Sequence, residues 1–259
     1  MTKPAQMQKA SRAWRKQGLK VALVPTMGAL HEGHLALIRR AAALADRVVV
    51  SAYVNPTQFN ARSDLANYPR KPARDAVLAR GAGADVLFRP GGLYAKDAST
   101  WVEETDCSRG RCGDRRPGHF RGVATVVVKL LNLVRPEVAV FGDKDRQQCE
   151  VVERMVRDLF LPVRIVRHPV IRERDGLPLS SRNRRLTPAQ RRVAGQWSQV
   201  VAKAARSGRA KAISTYRKNV EKIPGVRPEY AEIHRGHLHA AARVGGVRLI
   251  DHRPCGRSR

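Results

Sequence analysis

The stretch Val24–Arg40, VPTMGALHEGHLALIRR, closes an apolar run at Pro25, turns through Gly28 and enters an amphipathic pattern with two histidines three residues apart. Val21–Val24 and Val48–Val54 read as strands, with a helical pattern over His34–Ala45 between them. That spacing suits a βαβ unit, whose right-handed crossover lays the two strands side by side and parallel. The alternation continues outward: helix at Arg74–Gly81, strand at Asp85–Phe88, helix at Val123–Val134, strand at Glu137–Gly142, helix at Gln147–Leu159 and strand at Val163–Ile171. An α/β fold with a doubly wound, Rossmann-like parallel sheet follows.

After Asn183 the character changes. Thr187, followed by Pro188, predicts the start of a helix running to Ala205, and a second helix runs to Lys222. Glu229–His234 and Gly245–Asp251 are strand-like. The tail is therefore expected to be a smaller C-terminal α+β domain, with the chain dividing into residues 1–178 and 179–259.

The 259 residues carry 50 Lys and Arg against 22 Asp and Glu, a formal net charge of +28. Such a field steers nucleic acid, anionic membranes and phosphorylated small molecules alike and selects none of them. Aromatic residues are only 5% of the chain and the arginines are spread throughout, so nucleic acid is expected to bind only nonspecifically. No apolar run approaches the ~20 residues of a membrane span. Four cysteines without a C-x-x-C pair and no signal-peptide pattern predict a cytoplasmic protein. Cys107 and Cys112 lack two further suitably spaced soft ligands, so no metal site is expected there.

Four motifs carry candidate chemistry. His31 and His34 fall at the first turn of a helix, where orphan amides and the helix dipole favour phosphate, and Gly33 lets a ligand approach the backbone. Asn55 and Gln58, in YVNPTQF, follow the second strand at the end where open α/β sheets bind ligands. Lys144, Asp145 and Gln148, in FGDKDRQQ, occupy the corresponding place after another strand. Ser180, Ser181 and Arg182, in DGLPLSSRNRRL, offer two hydroxyls and a guanidinium fork on an expected mobile loop. Plainer readings stand beside these: His31 as a helix cap, Asn55–Pro56 as a turn, and 175–186 as a solvated basic linker. For His119, in RPGHFRG, ordering a substrate lid through Arg116 and Arg121 competes with an ordinary partly buried histidine.

In this order, PTMGALHEGH, VNPTQF, YPR, RPGHFRGVATVV, FGDKDRQQ and LSSRN resemble the pantoate–beta-alanine ligase (pantothenate synthetase) family. This family belongs to the class I aminoacyl-tRNA-synthetase-like nucleotidyltransferases; HEGH resembles the HIGH signature and LSSR the KMSKS loop. The resemblance covers roughly residues 20–190. It implies condensation of pantoate with beta-alanine through a pantoyl adenylate, using ATP as a substrate that carries Mg2+ with it, in a homodimer.

Carried onto this sequence, the resemblance places Met27, Gly28, Ala29, Leu30, His31, Glu32, Gly33 and His34 at ATP. It does the same for Gly142, Asp143, Lys144, Asp145, Ile171, Leu179, Ser180, Ser181 and Arg182. His34, His31, Lys144 and Arg182 take catalytic roles. Pro25, Thr26, Met27, Gln58 and Gln148 fall at pantoate positions, and Gln58 also at beta-alanine. The chain departs from the family in its arginine-rich segment Cys107–Gly122 and in EIHRGHLHAAARV (Glu232–Val244), which stands where a more acidic turn is expected.

Overall fold

A strand buried on both faces reads as an unbroken apolar run, and Val21–Val24, Val48–Val50 and Val138–Phe141 are buried throughout. Alternate side chains point to opposite faces. Val21, Leu23, Val49, Ala139 and Phe141 join one core, while Ala22, Val24, Val48, Val50, Val138 and Val140 join another.

The computed structural model describes residues 1–256. It divides into two compact units, Met1–Pro169 and Val170–Arg259. The first runs α1 (Pro4–Lys16), β1 (Val21–Thr26), α2 (Glu32–Ala42), β2 (Arg47–Ala52), α3 (Arg62–Ala66), α4 (Pro72–Gly81) and β3 (Val86–Phe88). It continues with α5 (Arg111–Arg115), α6 (His119–Val134), β4 (Val138–Gly142), α7 (Arg146–Asp158) and β5 (Arg164–His168). The second contains α8 (Pro188–Arg206), α9 (Ala212–Val220), β6 (Val226–His234), β7 (His237–Val244) and β8 (Val247–Pro254).

The large sheet has the order β3-β2-β1-β4-β5 with every pairing parallel. The chain winds outward from β1 to β3 and then returns to β4, so the order reverses between β1 and β4. At such a switch point the connections leave in opposite directions and open a crevice at the strands' carboxyl ends. β1 and β4 pair only at Ala22–Val138 and Leu23–Ala139, although β1 continues to Thr26 and β4 to Gly142.

The short helices α3 and α5 were not anticipated, nor were two longer elements, α1 and β7. α1 is amphipathic: Met7 is fully buried in the sheet core, and the Ser11 hydroxyl donates to the Val134 carbonyl. β7 contains Ala240–Ala242, and alanine favours helix over strand. Tertiary packing overrides that preference, because Leu238, Ala240, Ala242 and Val244 pack into one core with Trp197 and Val201. The β6–β7 turn has positive φ at both Arg235 and Gly236, the two-residue geometry that matches strand twist.

The second unit takes in residues 170–178, which a division at 178/179 leaves with the first. Arg172 donates to the Gly176 carbonyl, to Asp251 and to the His252 carbonyl, and Ser198 donates to Gly176 and Asp251. Asp251 has no exposed side-chain surface and is also approached by Arg253 at 3.5 Å. Removing one partner of a buried ion pair strands the other charge. Asp251→Ala is therefore expected to lower the unfolding free energy by about 3–5 kcal/mol, read as a fall in the urea midpoint.

Candidate functional site

β1 hands the chain to α2 through a turn whose amides would be orphaned without help. Gly28 and Ala29 both have positive φ, +80° and 52°. The Thr26 hydroxyl donates to the Ser51 carbonyl and accepts from the Gly28 amide. Asp75, buried in the first turn of α4, accepts from the Ala29 amide at 2.9 Å and the Leu30 amide at 2.8 Å. A Cβ at Gly28 would lie 3.1 Å from that carboxylate. Asp75 thus fixes the turn, and the sequence reading passed it over because nothing local links it to residues 29 and 30.

α2 then begins at Glu32, with His31 at the cap position. His31 makes no side-chain capping bond and caps through its backbone alone; its ring stacks on His34 with centroids 4.0 Å apart. The first helical bonds run from the His34 and Leu35 amides to the His31 carbonyl. Glu32 and Gly33 supply the first-turn amides ahead of those bonds, the anion-binding end of a helix. The Glu32 carboxylate is occupied by Arg39 on the exposed side, so Glu32 can serve a phosphate through its backbone.

At the carboxyl end of β2 the chain makes a short 3-10 turn, Pro56–Gln58. Asn55, almost fully buried, donates to Gln58 Oε1 and to the Gly122 carbonyl and accepts from the Thr57 hydroxyl. Its amide is committed to the scaffold, and it acts by orienting Gln58. Gln58 Nε2 then meets Met27 Sδ at 3.3 Å. A thioether is a weak acceptor, so this donor can move to a carboxylate at small cost. Arg116 Nη2 and His119 Nδ1 both donate to the Gln58 carbonyl, at 3.1 and 2.9 Å. With Nδ1 carrying the hydrogen, His119 Nε2 accepts from Arg116 Nη1 at 3.0 Å. His119 therefore braces Gln58 together with Arg116, whereas Arg121 lies over the Trp101 ring at 5.3 Å. Gly122 is where α6 passes this turn: a Cβ there would come within 2.6 Å of the Thr57 carbonyl.

After β4, Asp143–Asp145 form a 3-10 turn leading into α7. Asp143 is held by Arg146 at 2.9 Å and Arg167 at 3.3 Å, and Lys144 Nζ lies 3.3 Å from Asp145. Gln148 is half-buried on the first turn of α7. Its neighbour Gln147, which the sequence reading ignored, is buried and braces the arginine-rich segment, donating to the Cys107, Arg109 and Gly110 carbonyls and accepting from the Cys112 amide. Behind it Arg111 and Glu150 form a buried pair at 2.9 Å. Cys149, beneath Gly142, has its thiol pushed far up by burial, so it offers no nucleophile.

Pro25–His34, Gln58, Gly142–Asp145 and Gln148 thus gather at the carboxyl ends of β1, β2 and β4. In the second unit, Ile171 and Leu179–Arg182 share one loop: the Leu179 amide donates to the Ile171 carbonyl, and Ser180 Oγ accepts from the Arg182 amide. Side chains of the same unit tie down the flanks of this loop. Asn183 donates to Glu173 and to the Pro178 carbonyl, and Arg191 pairs with both Glu173 and Asp175.

Among the described residues, Glu104, Asp106 and Cys107 bring potential metal ligands together. Glu104, however, accepts from the Asp106, Cys107 and Ser108 amides and serves as a turn cap.

The Pantoate-beta-alanine ligase family model matches residues 1–254. The pantothenate synthetase of Desulfovibrio desulfuricans is 46% identical over 96% of this chain and 96% of its own. That of Myxococcus xanthus is 44% identical over 93% and 91%. The pantothenate synthetase structure from Thermus thermophilus superposes with a TM-score of 0.90 at 37% identity, covering 98% of each chain. The pantoate-beta-alanine ligase from Francisella tularensis, solved with beta-gamma ATP and beta-alanine, gives 0.88 at 33% identity over 98% of this chain and 96% of that one.

Asp75→Asn keeps one acceptor but turns an amide donor toward a backbone N–H. The expected loss is about 2–3 kcal/mol of stability, with a raised KM for the nucleotide, measured by thermal melting and initial rates. Arg191, donating through both Nη atoms, holds the Asp175 carboxyl below its ordinary range. The pair's contribution is complete above the unfolded carboxylate pKa, about 4, and is lost as pH falls through the lower folded value. Acid titration of Arg191→Gln should lack this component of unfolding.

Proposed function

The chain belongs to the pantoate–beta-alanine ligase family, and on that premise we propose that it forms pantothenate through an enzyme-bound pantoyl adenylate. In the first step a pantoate carboxylate oxygen attacks the α-phosphorus of ATP, the bond to the β-phosphate bridge breaks, and pyrophosphate leaves. In the second the beta-alanine amine attacks the activated carbonyl, the carbon–oxygen bond to AMP breaks, and the ammonium gives up its proton.

The observation that carries this reading is the gathering of the α2 N-terminus, the stacked His31–His34 pair and the Gly142–Asp145 turn at strand ends flanking the switch point. Negative charge moves onto phosphate oxygens during adenylation, and donors already oriented toward them lower the barrier without reorganising. Backbone amides from Met27 to His34, the His31 and His34 imidazoles and the Lys144 ammonium supply such donors. Ser180, Ser181 and Arg182 would grip phosphate in the same way, with Ile171 and Leu179 contacting the nucleotide. Gln58 and Gln148 would hold pantoate beside Pro25, Thr26 and Met27, and Gln58 would also meet beta-alanine. The Asn55 bond to Gln58 Oε1 and the weak sulfur contact of Nε2 support a carboxylate or hydroxyl acceptor for that amide.

Mg2+ would travel on the phosphates of ATP. Asp143 and Asp145 are already ion-paired, which supports coordination mainly by phosphate oxygens and water. We place the enzyme in the cytoplasm as a homodimer on the family resemblance. Among the described residues no helix is long and apolar enough to cross a membrane.

Pyrophosphate release from ATP should require pantoate, and AMP release should require beta-alanine as well. His34→Ala is expected to slow adenylation by about 100-fold or more, the scale of one preorganised donor. Pyrophosphate release indifferent to pantoate would reassign the protein to nucleotidyl transfer onto another acceptor, and full activity in His34→Ala would remove the catalytic assignment.

A further inference from the structure

Of the chain's eight histidines, His234, His237, His239 and His252 lie on the small antiparallel sheet. His239 stands opposite Glu232 on β6 and His252 on β8, and His237 stands opposite His234. Directly opposed residues, and alternate residues along one strand, share a face. All four imidazoles and Glu232 therefore project from one side of the sheet. Leu238, Ala240 and Ala242, at the intervening positions of β7, pack with Trp197 on the other.

Three of the rings close a triangle. Centroid separations are 6.3 Å for His237–His239, 5.5 Å for His237–His252 and 5.6 Å for His239–His252, while His234 lies 6.1 Å from His239. Imidazoles bound at about 2.0–2.1 Å to one tetrahedral ion have ring centroids roughly 5 Å apart. The strand register already sets the backbone to that spacing. The ring nitrogens themselves do not yet converge, since no three of them lie within 4.8 Å of one another, so binding requires these side chains to turn toward a common point.

We propose that His237, His239 and His252 form a binding site for a transition-metal ion of the Zn2+ class, with water or His234 in the fourth position. Neutral imidazoles suit Zn2+, Co2+, Ni2+ and Cu2+, whereas Mg2+ and Ca2+ prefer oxygen ligands. A protein of net charge +28 repels cations at long range, so uptake depends on direct nitrogen–metal bonds and excludes loosely held hard ions. Glu232 supplies a negative charge beside His239. The adenylation chemistry uses none of these residues.

The test takes untagged full-length protein, strips it with chelator, and titrates it with Zn2+ by equilibrium dialysis and with Co2+ by visible absorption. One Zn2+ per chain is expected, unaffected by excess Mg2+. His237→Gln and His252→Gln should each weaken binding at least about tenfold, while His168→Gln should not. Absence of stoichiometric uptake, uptake unchanged in both variants, or uptake lost instead in Cys107→Ser would each overturn the proposal. Should the glutamine variants fail to fold, Co2+ bound to the unmodified protein decides: tetrahedral bands without thiolate charge transfer support the histidine site, and thiolate charge transfer or no tetrahedral band overturns it.

Discussion

The buried carboxylate of Asp75 accepting two consecutive amides, at Ala29 and Leu30, is the constraint on which the nucleotide end of this protein depends. A turn leaving a central parallel strand lies among apolar residues, where an unpaired amide is costly. A carboxylate from another helix satisfies two of them at once and fixes the direction in which α2 starts. The orphan amides that remain belong to the first turn of that helix, where a phosphate can use them. Positive φ at Gly28 and Ala29 is tolerated because these bonds over-determine the turn.

A second layer of polar groups does for Gln58 what Asp75 does for the turn. Asn55 sets its side-chain amide, while Arg116 and His119 hold its backbone carbonyl. Gly122 lets α6 pass close enough for its own carbonyl to accept from Asn55. The arginine-rich segment preceding α6 is built in the same way, with Gln147 threading three of its carbonyls and Glu150 receiving Arg111.

The surplus of positive charge is distributed around a small number of carboxylates, several of them shared. Asp143 serves Arg146 and Arg167, Glu229 serves Arg243 and Arg248, and Asp251 serves Arg172 and Arg253. Scarce acids used this way fix loops at both ends of the chain and leave a net field that favours anionic substrates. The loop bearing Ser180–Arg182 illustrates the difference this makes: a basic, polar stretch resembles a linker, yet Glu173, Asp175, Asn183 and Arg191 fasten it.

The sequence alone determined the parallel α/β framework, because doubly buried strands must be continuous apolar runs and the helices between them must be amphipathic. It also marked His31, His34, Gln58, Lys144 and Ser180–Arg182, since strand ends and helix starts are local patterns that a reader can follow along the chain. Alanine-rich β7 escaped, as did α1, because packing against distant elements overrode or supplied what local propensity did not. Asp75, His119, Gln147 and the histidine triangle were decided only by tertiary structure. Each acts on residues tens of positions away or across a strand register, and hydrogen bonds and register are set by distance in space, which spacing along a chain does not encode.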